Sequence, residues 1–381
     1  MKKLNKELLC RNIEKAAMFD FDNKKVFGSA YCVIQDGKEI YNNCFGYTGP
    51  DNDIPVTENT LFRLASMTKP ITAMAALILV DRGLLSLYDP VSKYIPEFED
   101  IHIKTVDSSG DLKDLGKPKK QVKIINLLSH VSGVGSNPEK LDKMTDSDRQ
   151  NTENYVNFLL NSGLDFEPET EERYSGTGAF QVLVKIIEML SGTDFFSFLK
   201  KEIFEPCGMT DTVFIPTKEQ WERLIPMHIK LNGESKIAPQ PENCVFRNFP
   251  CTHCLGGAGL ISSIKDYTKF ALMLLNKSKT SAGQLVSDET FKLLHTPHVP
   301  HEVMPRTQRW GLGVRVIVDE AYTYLPVGAF GWSGAFGSHF WIDPENKIAA
   351  VFMKNSLYDG GSENESALNF EKAVHASLEE I

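Results

Sequence analysis

The amino-acid sequence predicts an α+β fold, in which an antiparallel β-sheet is built from both chain ends, flanked by helices, and interrupted by an inserted, mostly helical region. Two β-rich runs lie near the N-terminus, β-rich segments return in the C-terminal third, and helical periodicity dominates between them. The strands at each end follow one another without strict alternation with helices, which argues against a doubly wound parallel sheet.

The N-terminal part of the sequence predicts a helix, a hairpin and a second helix. Residues 1–22 form an amphipathic pattern, and two β-rich runs then flank Asp36-Gly37, a dipeptide typical of tight hairpins. The next helix opens at Ser66, runs to about Arg82 and ends at Gly83, since glycine commonly terminates helices. Pro70 is tolerated because the first amides of a helix lack partners in any case.

The central part of the sequence predicts a polar loop at residues 104–121, followed by helices. Apolar residues recur with a helical period and place these helices at 123–130, 154–163, 177–192 and 264–276. The C-terminal part then predicts strands at 310–318, 336–344 and 347–355, and a closing helix that starts at the Ser362-x-x-Glu365 capping box. We therefore expect one lobe from residues 1–85 and 305–381, a mostly helical lobe from 86–304, and an active site between them.

Composition and charge exclude several classes of function. The 381 residues carry 41 basic and 50 acidic side chains, a net charge of -9, without the basic and aromatic clusters typical of nucleic-acid binding. No apolar run approaches the roughly 18 residues of a membrane span, and charged residues interrupt the N-terminal segment, so no signal peptide is predicted. Together with an odd number of cysteines, seven in all, this predicts a cytoplasmic protein with reduced thiols. The oligomeric state does not follow from the sequence.

The pattern Ser66-Met67-Thr68-Lys69 is the first candidate for catalytic chemistry. Residues three apart on a helix share one face, so Ser66 and Lys69 can touch. A helix N-terminus and apolar packing both disfavour the charged form of lysine, and a neutral lysine can accept the serine proton. The alternative interpretation is a serine near an N-cap beside an exposed lysine, because a short pattern of this kind often arises by chance.

Two further segments add to this candidate. Tyr174 precedes a glycine-containing turn into a helix, a place where a side chain can point into a cleft, although a buried structural tyrosine is the alternative. The segment 329–344, AFGWSGAFGSHFWIDP, has three glycines in a strand context, which indicates close approach to its backbone or, alternatively, a bulge. A free amide at such a strand edge can supply a donor to an oxyanion hole.

These three motifs, in this order and spacing, resemble the serine β-lactamase and penicillin-binding-protein superfamily, and within it the class C β-lactamase-like, family VIII carboxylesterases. The resemblance covers nearly the whole chain and includes phrases such as 61-LFRLASMTKPITA-73 and 126-NLLSHVSG-133. It implies a β-lactamase/transpeptidase-like fold and an acylated nucleophile at Ser66. It further implies that Lys69 and Tyr174 are the proton-transfer pair and that the amides of Ser66 and Ala335 form the oxyanion hole.

The sequence departs from the family pattern at two places that bind substrate. The family's Tyr-x-Asn motif reads Tyr174-Ser175-Gly176, and its Lys-Thr-Gly motif reads Trp332-Ser333-Gly334. The resemblance therefore implies that Gly176 lies where an asparagine holds an amide, and that no cation at the second motif binds a carboxylate. A missing polar partner can discriminate strongly between substrates. We expect Trp332, Ser333, Gly334 and Gly176 to contact a short acyl ester, with Trp332 lining the acyl or alcohol pocket.

The resulting hypothesis is a serine hydrolase that cleaves short acyl esters and needs no cofactor or metal. Which of Lys69 and Tyr174 acts as the base stays open, because the two would titrate as a coupled pair. An amide-directed enzyme of the same fold, such as a β-lactamase, a D-amino-acid peptidase or an oligomer amidase, and an acyltransferase also remain open. A non-catalytic binding protein is the alternative from another class, and the joint presence of the three catalytic candidates argues against it.

Other motifs favour structural interpretations. Cys251-Thr252-His253-Cys254 offers half of a zinc site, with no second pair to complete it. His295, His298 and His301 are spaced by three, but intervening prolines forbid a regular helix and predict a loop over the cleft. His130 suggests a Ser-His-Asp triad, yet no G-x-S-x-G motif occurs, so it is interpreted as structural. Gly256, Gly257 and Gly259 lack the residues of a phosphate loop and are expected to permit close packing beneath the site.

Overall fold

The computed structural model describes residues 2–50, 52–238, 253–322 and 324–380. Its main element is an eight-stranded antiparallel sheet to which both ends of the chain contribute. From one edge to the other, the strands are Gln308–Trp310, Arg315–Ile317, Phe330–Ser333, His339–Asp343, Ile348–Met353, Gly28–Gln35, Lys38–Gly49 and Asn52–Pro55. The predicted α+β class and the antiparallel sheet from both chain ends are confirmed.

Helices form most of the remaining secondary structure. The α-helices are Lys6–Asp22, Thr68–Asp81, Ile124–Leu128, Pro138–Leu141, Thr152–Ser162, Gly178–Ser191, Phe195–Leu199, Glu205–Cys207, Lys218–Arg223, Ile264–Leu275, Asp288–Leu294 and Glu365–His375. Short 3-10 turns occur at Ala65–Met67, Val91–Lys93 and Pro96–Asp100, and a π-helical turn occurs at Lys200–Phe204. None of the helices in the described ranges is both long and apolar enough to cross a membrane.

Two-stranded pairs complete the secondary structure. They are Lys3–Leu4 with Leu378–Glu379, Leu61–Arg63 with Ile261–Ser263, Lys104–Val106 with Leu112–Asp114, His228–Leu231 with Glu234–Ile237, and Lys279–Thr280 with Gly283–Gln284. The pair formed by Leu61–Arg63 and Ile261–Ser263 ties the segment before Ser66 to the segment before the helix Ile264–Leu275.

Both faces of the main sheet are covered, because successive side chains of a strand point to opposite faces. The helices Lys6–Asp22 and Glu365–His375 pack against one face, with Ile13 and Phe370 among the buried contacts. The helix Ile264–Leu275 packs against the other face and joins the larger core, which also includes Thr68–Asp81 and Gly178–Ser191. The start of Thr68–Asp81 therefore lies between the sheet and the helical part of the chain.

Three predicted elements need correction. The loop at 104–121 contains a strand pair, because Asp107 accepts hydrogen bonds from the amides of Ser109 and Asp111 and so organises a tight turn. The single strand predicted at 310–318 is two strands that pair antiparallel around Gly313, whose φ is +68°. The closing helix begins at Glu365 rather than at Ser362, because Asn364 caps it by accepting from the Ala367 amide at 3.0 Å.

Candidate active site

Ser66 lies on a tight turn at the head of a buried helix. The 3-10 turn Ala65–Met67 precedes the helix Thr68–Asp81, and Ala65 has a φ of +47°, a conformation that residues other than glycine seldom adopt. Every residue from Thr68 to Leu79 is buried, as expected for a helix that is apolar on all faces. Lys69 is consequently in the protein core with no exposed surface, whereas Ser66 keeps 9% of its surface exposed.

The segment 256–260 holds the start of this helix in place. Thr72 Oγ1 donates to the carbonyl of Gly256 at 2.6 Å, and Thr68 Oγ1 accepts from the Leu260 amide at 3.2 Å. A Cβ atom on Gly257 would lie 2.8 Å from the Gly176 carbonyl oxygen, so a side chain there would push the two segments apart. The structure therefore agrees with the prediction that these glycines permit close packing beneath the site.

Lys69 has three polar neighbours. Its Nζ lies 2.5 Å from the Gly176 carbonyl oxygen, 2.9 Å from the Gly257 carbonyl oxygen and 3.3 Å from Ser66 Oγ. Burial holds the pKa of Lys69 well below its usual value, because removal from water disfavours the ammonium form. The site thus contains a lysine in hydrogen-bond reach of a serine and biased toward the neutral amine.

Tyr174 is a further neighbour of Ser66 and Lys69. The Ser66 side chain lies close enough to Tyr174 to lower the pKa of its hydroxyl, and that hydroxyl accepts from Trp332 Nε1 at 3.2 Å. Burial raises the pKa of Tyr174 to about 12, and its ring centre lies 4.8 Å from Lys69 Nζ. The phenol is therefore protonated at neutral pH and lies beside the serine–lysine pair.

Aromatic rings surround Tyr174. The ring centres of Trp332 and Trp310 lie 5.5 and 5.7 Å from that of Tyr174, and the two indoles meet edge to face at 4.5 Å. Trp310 Nε1 donates to Glu172 at 2.8 Å, so its polar group is satisfied away from the hydroxyl of Tyr174. His130 packs on the same rings, with its centre 4.5 Å from that of Tyr174. These contacts restrict the orientation of the tyrosine.

The segment Trp332–Ala335 borders the site at the end of a central strand. The Ser333 hydroxyl is buried and bonded to His339 Nδ1 at 2.7 Å, and His339 Nε2 in turn contacts Glu371 at 2.9 Å. A Cβ atom on Gly334 would lie 2.3 Å from the Leu64 carbonyl oxygen, which confirms the close backbone approach that the glycines indicated. Ala335 follows and is exposed.

The structure therefore brings Ser66, Lys69, Tyr174 and Trp332 together at one site. Gly176 contributes its carbonyl to Lys69, and a Cβ atom placed on it would meet nothing within 4 Å, so the space of a larger side chain is open. Sequence reasoning gave no role here to Trp310, and no local pattern around that residue marks it. The sequence also gave no sign that His130 contacts Tyr174, more than forty residues away.

The histidines and cysteines of the candidate metal motifs do not form a metal site among the described residues. In the described ranges, no group of three or more histidine, cysteine or acidic residues is arranged to hold a metal ion. Cys251 and Thr252 of the half zinc motif lie outside the described residues. His295 stacks on Phe330, and His298 Nε2 contacts the carbonyl of Leu293 at 2.8 Å, so these two side chains have structural partners.

Comparisons with known proteins identify the family of the chain. The Beta-lactamase family model matches residues 11–373. Esterase EstB of Burkholderia gladioli is 27% identical over 378 residues, which covers 91% of this chain and 91% of EstB. A putative D-alanyl-D-alanine carboxypeptidase of Salmonella enteritidis is 27% identical over 356 residues, covering 85% of this chain and 77% of that protein.

A solved structure gives the same result for the fold. EstCE1, described as a hydrolase with promiscuous acyltransferase activity, superposes with a TM-score of 0.82 at 24% identity, covering 97% of this chain and 99% of EstCE1. The fold is therefore that of the β-lactamases and penicillin-binding proteins, and the resemblance to the esterase branch of that superfamily is confirmed. The chain belongs to the Beta-lactamase family, and it is a hydrolase of that fold.

Proposed function

We propose that the protein is a serine hydrolase that cleaves short acyl esters through an acyl-enzyme on Ser66, in a site between the lobe 1–85 with 305–381 and the lobe 86–304. The observation that carries the proposal is the environment of Lys69. Its amine is fully buried, contacts two backbone carbonyls and lies 3.3 Å from Ser66 Oγ.

The hydrogen bonds of Lys69 favour its action as the base that activates Ser66. A neutral amine has two N–H groups and one lone pair, and the carbonyls of Gly176 and Gly257 take the two N–H groups. The lone pair is left for the third neighbour, Ser66, whose hydroxyl can donate to it. As Ser66 Oγ attacks the ester carbonyl, its proton passes to Lys69 Nζ.

Tyr174 is suited to protonate the leaving alcohol. Its raised pKa of about 12 keeps the phenol protonated, and an alkoxide is a stronger base than a phenolate, so proton transfer to it is favourable. The Trp332 indole N–H, 3.2 Å from the phenol oxygen, stabilises the phenolate that remains. This assignment gives Trp332 a part in proton transfer besides the pocket lining predicted from the sequence.

The oxyanion would be held by the backbone amides of Ser66 and Ala335. In the part of the chain that the structure describes, neither nitrogen donates a hydrogen bond, so both donors are available to a substrate oxygen. Donors that are already oriented stabilise the developing charge without reorganisation.

Deacylation restores every group. Water loses one proton to the Tyr174 phenolate, its oxygen attacks the acyl carbon, and the bond to Ser66 Oγ breaks. Ser66 then recovers a proton from the Lys69 ammonium. The cycle converts one ester and one water into an acid and an alcohol.

The departures at Gly176 and Trp332 support an ester over a β-lactam or a D-alanyl peptide. At these two positions the site offers neither a side-chain amide nor a cation, and a buried site that lacks a partner for a substrate's polar group rejects that substrate. The similarity to an esterase over 91% of both chains supports the same substrate class.

A paired assay tests the proposal. The purified protein and its Ser66→Ala variant are given a short-chain p-nitrophenyl ester and, separately, a chromogenic cephalosporin. We expect ester turnover that disappears in the variant, with little cephalosporin turnover. Full ester turnover by Ser66→Ala would contradict the mechanism, and strong cephalosporin turnover would contradict the substrate class.

Acyl transfer to an alcohol is a second candidate, favoured by the similarity to EstCE1, whose description includes promiscuous acyltransferase activity. The same acyl-enzyme would then react with an alcohol instead of water. Adding a short alcohol to the ester assay tests it: formation of the new ester at the expense of the acid supports transfer, and unchanged acid formation excludes it for that acceptor.

A further inference from the structure

The loop that carries Tyr174 is bound on both sides of the tyrosine by one residue, His130. The Arg173 amide donates to the His130 carbonyl oxygen at 3.1 Å, and the Ser175 amide donates to His130 Nδ1 at 3.1 Å. The imidazole also packs against the tyrosine, with 4.5 Å between the ring centres. His130 thus fixes the backbone before Tyr174, the backbone after it and one side of its ring.

His130 is itself held rigidly. It is 1% exposed, and it follows the helix Ile124–Leu128, where Ser129 Oγ donates to the Ile125 carbonyl at 2.7 Å and the Val131 amide donates to Asn126 at 3.1 Å. Its φ of +60° is a left-handed conformation that is uncommon for residues other than glycine, although histidine, asparagine and aspartate adopt it more often than the rest. A residue held in such a conformation is consistent with a constrained functional site.

The polar groups of the ring explain why an apolar residue would not serve as well. Because Nδ1 accepts a hydrogen bond, the neutral ring carries its proton on Nε2, and that atom is buried without a hydrogen-bond partner among the described residues. A buried N–H without a partner is unfavourable, so a histidine used only to fill space would be poorly chosen. Its acceptor at Nδ1 is the feature that a phenylalanine of similar shape lacks.

We propose that His130 is a positioning residue, which holds the Tyr174 hydroxyl in line with Ser66 through the two hydrogen bonds to the flanking amides. The inference rests on the proposed function for its effect on turnover. Its effect on the loop itself does not depend on that function. Misplacement of a catalytic group by about 1 Å can reduce a rate by about a hundredfold, so loss of this support would act on kcat.

Three substitutions separate positioning from simple packing. His130→Phe keeps a ring and loses the acceptor, whereas His130→Asn loses the ring, keeps an oxygen at the place of Nδ1 and suits the left-handed backbone. His130→Gln keeps a polar side chain but carries its acceptor farther from the backbone than Nδ1. If His130→Phe does not fold, His130→Gln takes its place in the comparison. His295→Phe is the matched control, because that ring packs on Phe330 and does not contact Tyr174.

Turnover of an alkyl ester is measured per active site, with sites counted by titration with a fluorophosphonate. We expect His130→Phe and His130→Gln to lose about 10- to 100-fold in kcat with little change in KM, and His130→Asn to recover most of that loss. The control should match the wild type. Unchanged kcat per titrated site in both Phe and Gln variants, or an Asn variant as slow as they are, would overturn the inference.

Hydrogen–deuterium exchange on the same proteins gives a readout that does not require turnover. The amides of Arg173 and Ser175 should exchange slowly in the wild type and the Asn variant, and faster in the Phe and Gln variants. If the wild type hydrolyses no ester yet shows this pattern, the proposed function fails and the positioning role stands. Equal exchange in all four proteins would overturn the positioning role even if the ester is hydrolysed.

Discussion

Replacing Trp332 by phenylalanine should slow acylation by an alkyl ester far more than acylation by an activated aryl ester. The substitution removes the indole N–H, whose nitrogen lies 3.2 Å from the Tyr174 hydroxyl oxygen. The phenylalanine ring would occupy a similar position and keep much of the packing against Trp310. An alkoxide must be protonated as it leaves, whereas p-nitrophenolate leaves without a proton. The loss should therefore depend on the leaving group.

The magnitude follows from the strength of one hydrogen bond to a group that becomes charged. Such a bond contributes about 1.5–3 kcal/mol. In Trp332→Phe the phenolate formed at Tyr174 loses this donor. With about 1.4 kcal/mol for each factor of ten, kcat/KM for an ethyl ester should fall about 10- to 150-fold. For the p-nitrophenyl ester of the same acid, kcat/KM should fall clearly less, because p-nitrophenolate leaves without a proton. The acyl group and its pocket are the same for both esters, so the difference reports on the leaving group.

The assay compares kcat/KM for the two esters in the wild type, Trp332→Phe and Trp310→Phe. Trp310 is the matched control, since its indole N–H donates to Glu172 at 2.8 Å and does not reach the Tyr174 hydroxyl. Its substitution should show no dependence on the leaving group. Equal losses for both esters in Trp332→Phe would refute the reasoning and leave Trp332 as a wall of the acyl pocket.

The remaining predictions concern pH and stability. Because turnover needs neutral Lys69, kcat/KM should fall as the pH drops through the lowered pKa of this lysine. No loss of kcat/KM at alkaline pH is expected until the pH approaches the Tyr174 pKa of about 12. A pH–rate profile with an alkaline limb near neutrality would contradict this prediction. Lys69 also binds a proton more readily in the unfolded chain, where the lysine pKa is near 10.5. The contribution of Lys69 to the free energy of unfolding should therefore increase with pH, up to about pH 10.5. Urea titrations of the wild type and Lys69→Met at several pH values measure this contribution. Glu371→Ala should lower the free energy of unfolding by about 3–5 kcal/mol, because the buried Arg315 guanidinium, 2.5 Å from that carboxylate, would lose its partner; a denaturant midpoint close to the wild-type value would show that the pair contributes little.

Local signals predicted those parts of the fold in which short-range chemistry decides the structure. The hairpin at Asp36-Gly37 is present, and both residues have positive φ, as a tight hairpin turn requires. The helix after Ser66 ends where Gly83 takes a φ of +69°. The dipeptide Asn232-Gly233 is a comparable hairpin signal, and it joins the strand pair His228–Leu231 and Glu234–Ile237, which the sequence analysis did not predict.

One of the elements that were wrong depends on a contact with a distant part of the chain. Residues 310–318 have the composition of one strand, but Gly313 donates its amide to the Leu128 carbonyl at 2.9 Å, which fixes a turn between two strands. Nothing local in the sequence indicates that partner. Composition alone therefore could not divide this segment.

The candidate site likewise combines features that the sequence predicts with contacts that only the structure shows. The spacing of Ser66 and Lys69 predicts their contact, and the resemblance to a known family supplied Tyr174 and the segment at Trp332, which the structure brings together. The hydrogen bonds of His130 to both sides of Tyr174 join residues more than forty positions apart and could be found only from coordinates.

Covalent labelling of Ser66 tests the central claim most directly. The protein is treated with a fluorophosphonate, digested, and analysed by mass spectrometry for the modified peptide, with Ser66→Ala as the control. The account predicts one phosphonylated site, at Ser66, whose appearance parallels the loss of ester turnover and is absent from the variant. Complete loss of turnover with the label on another residue, or ester turnover that persists in Ser66→Ala, would contradict the account.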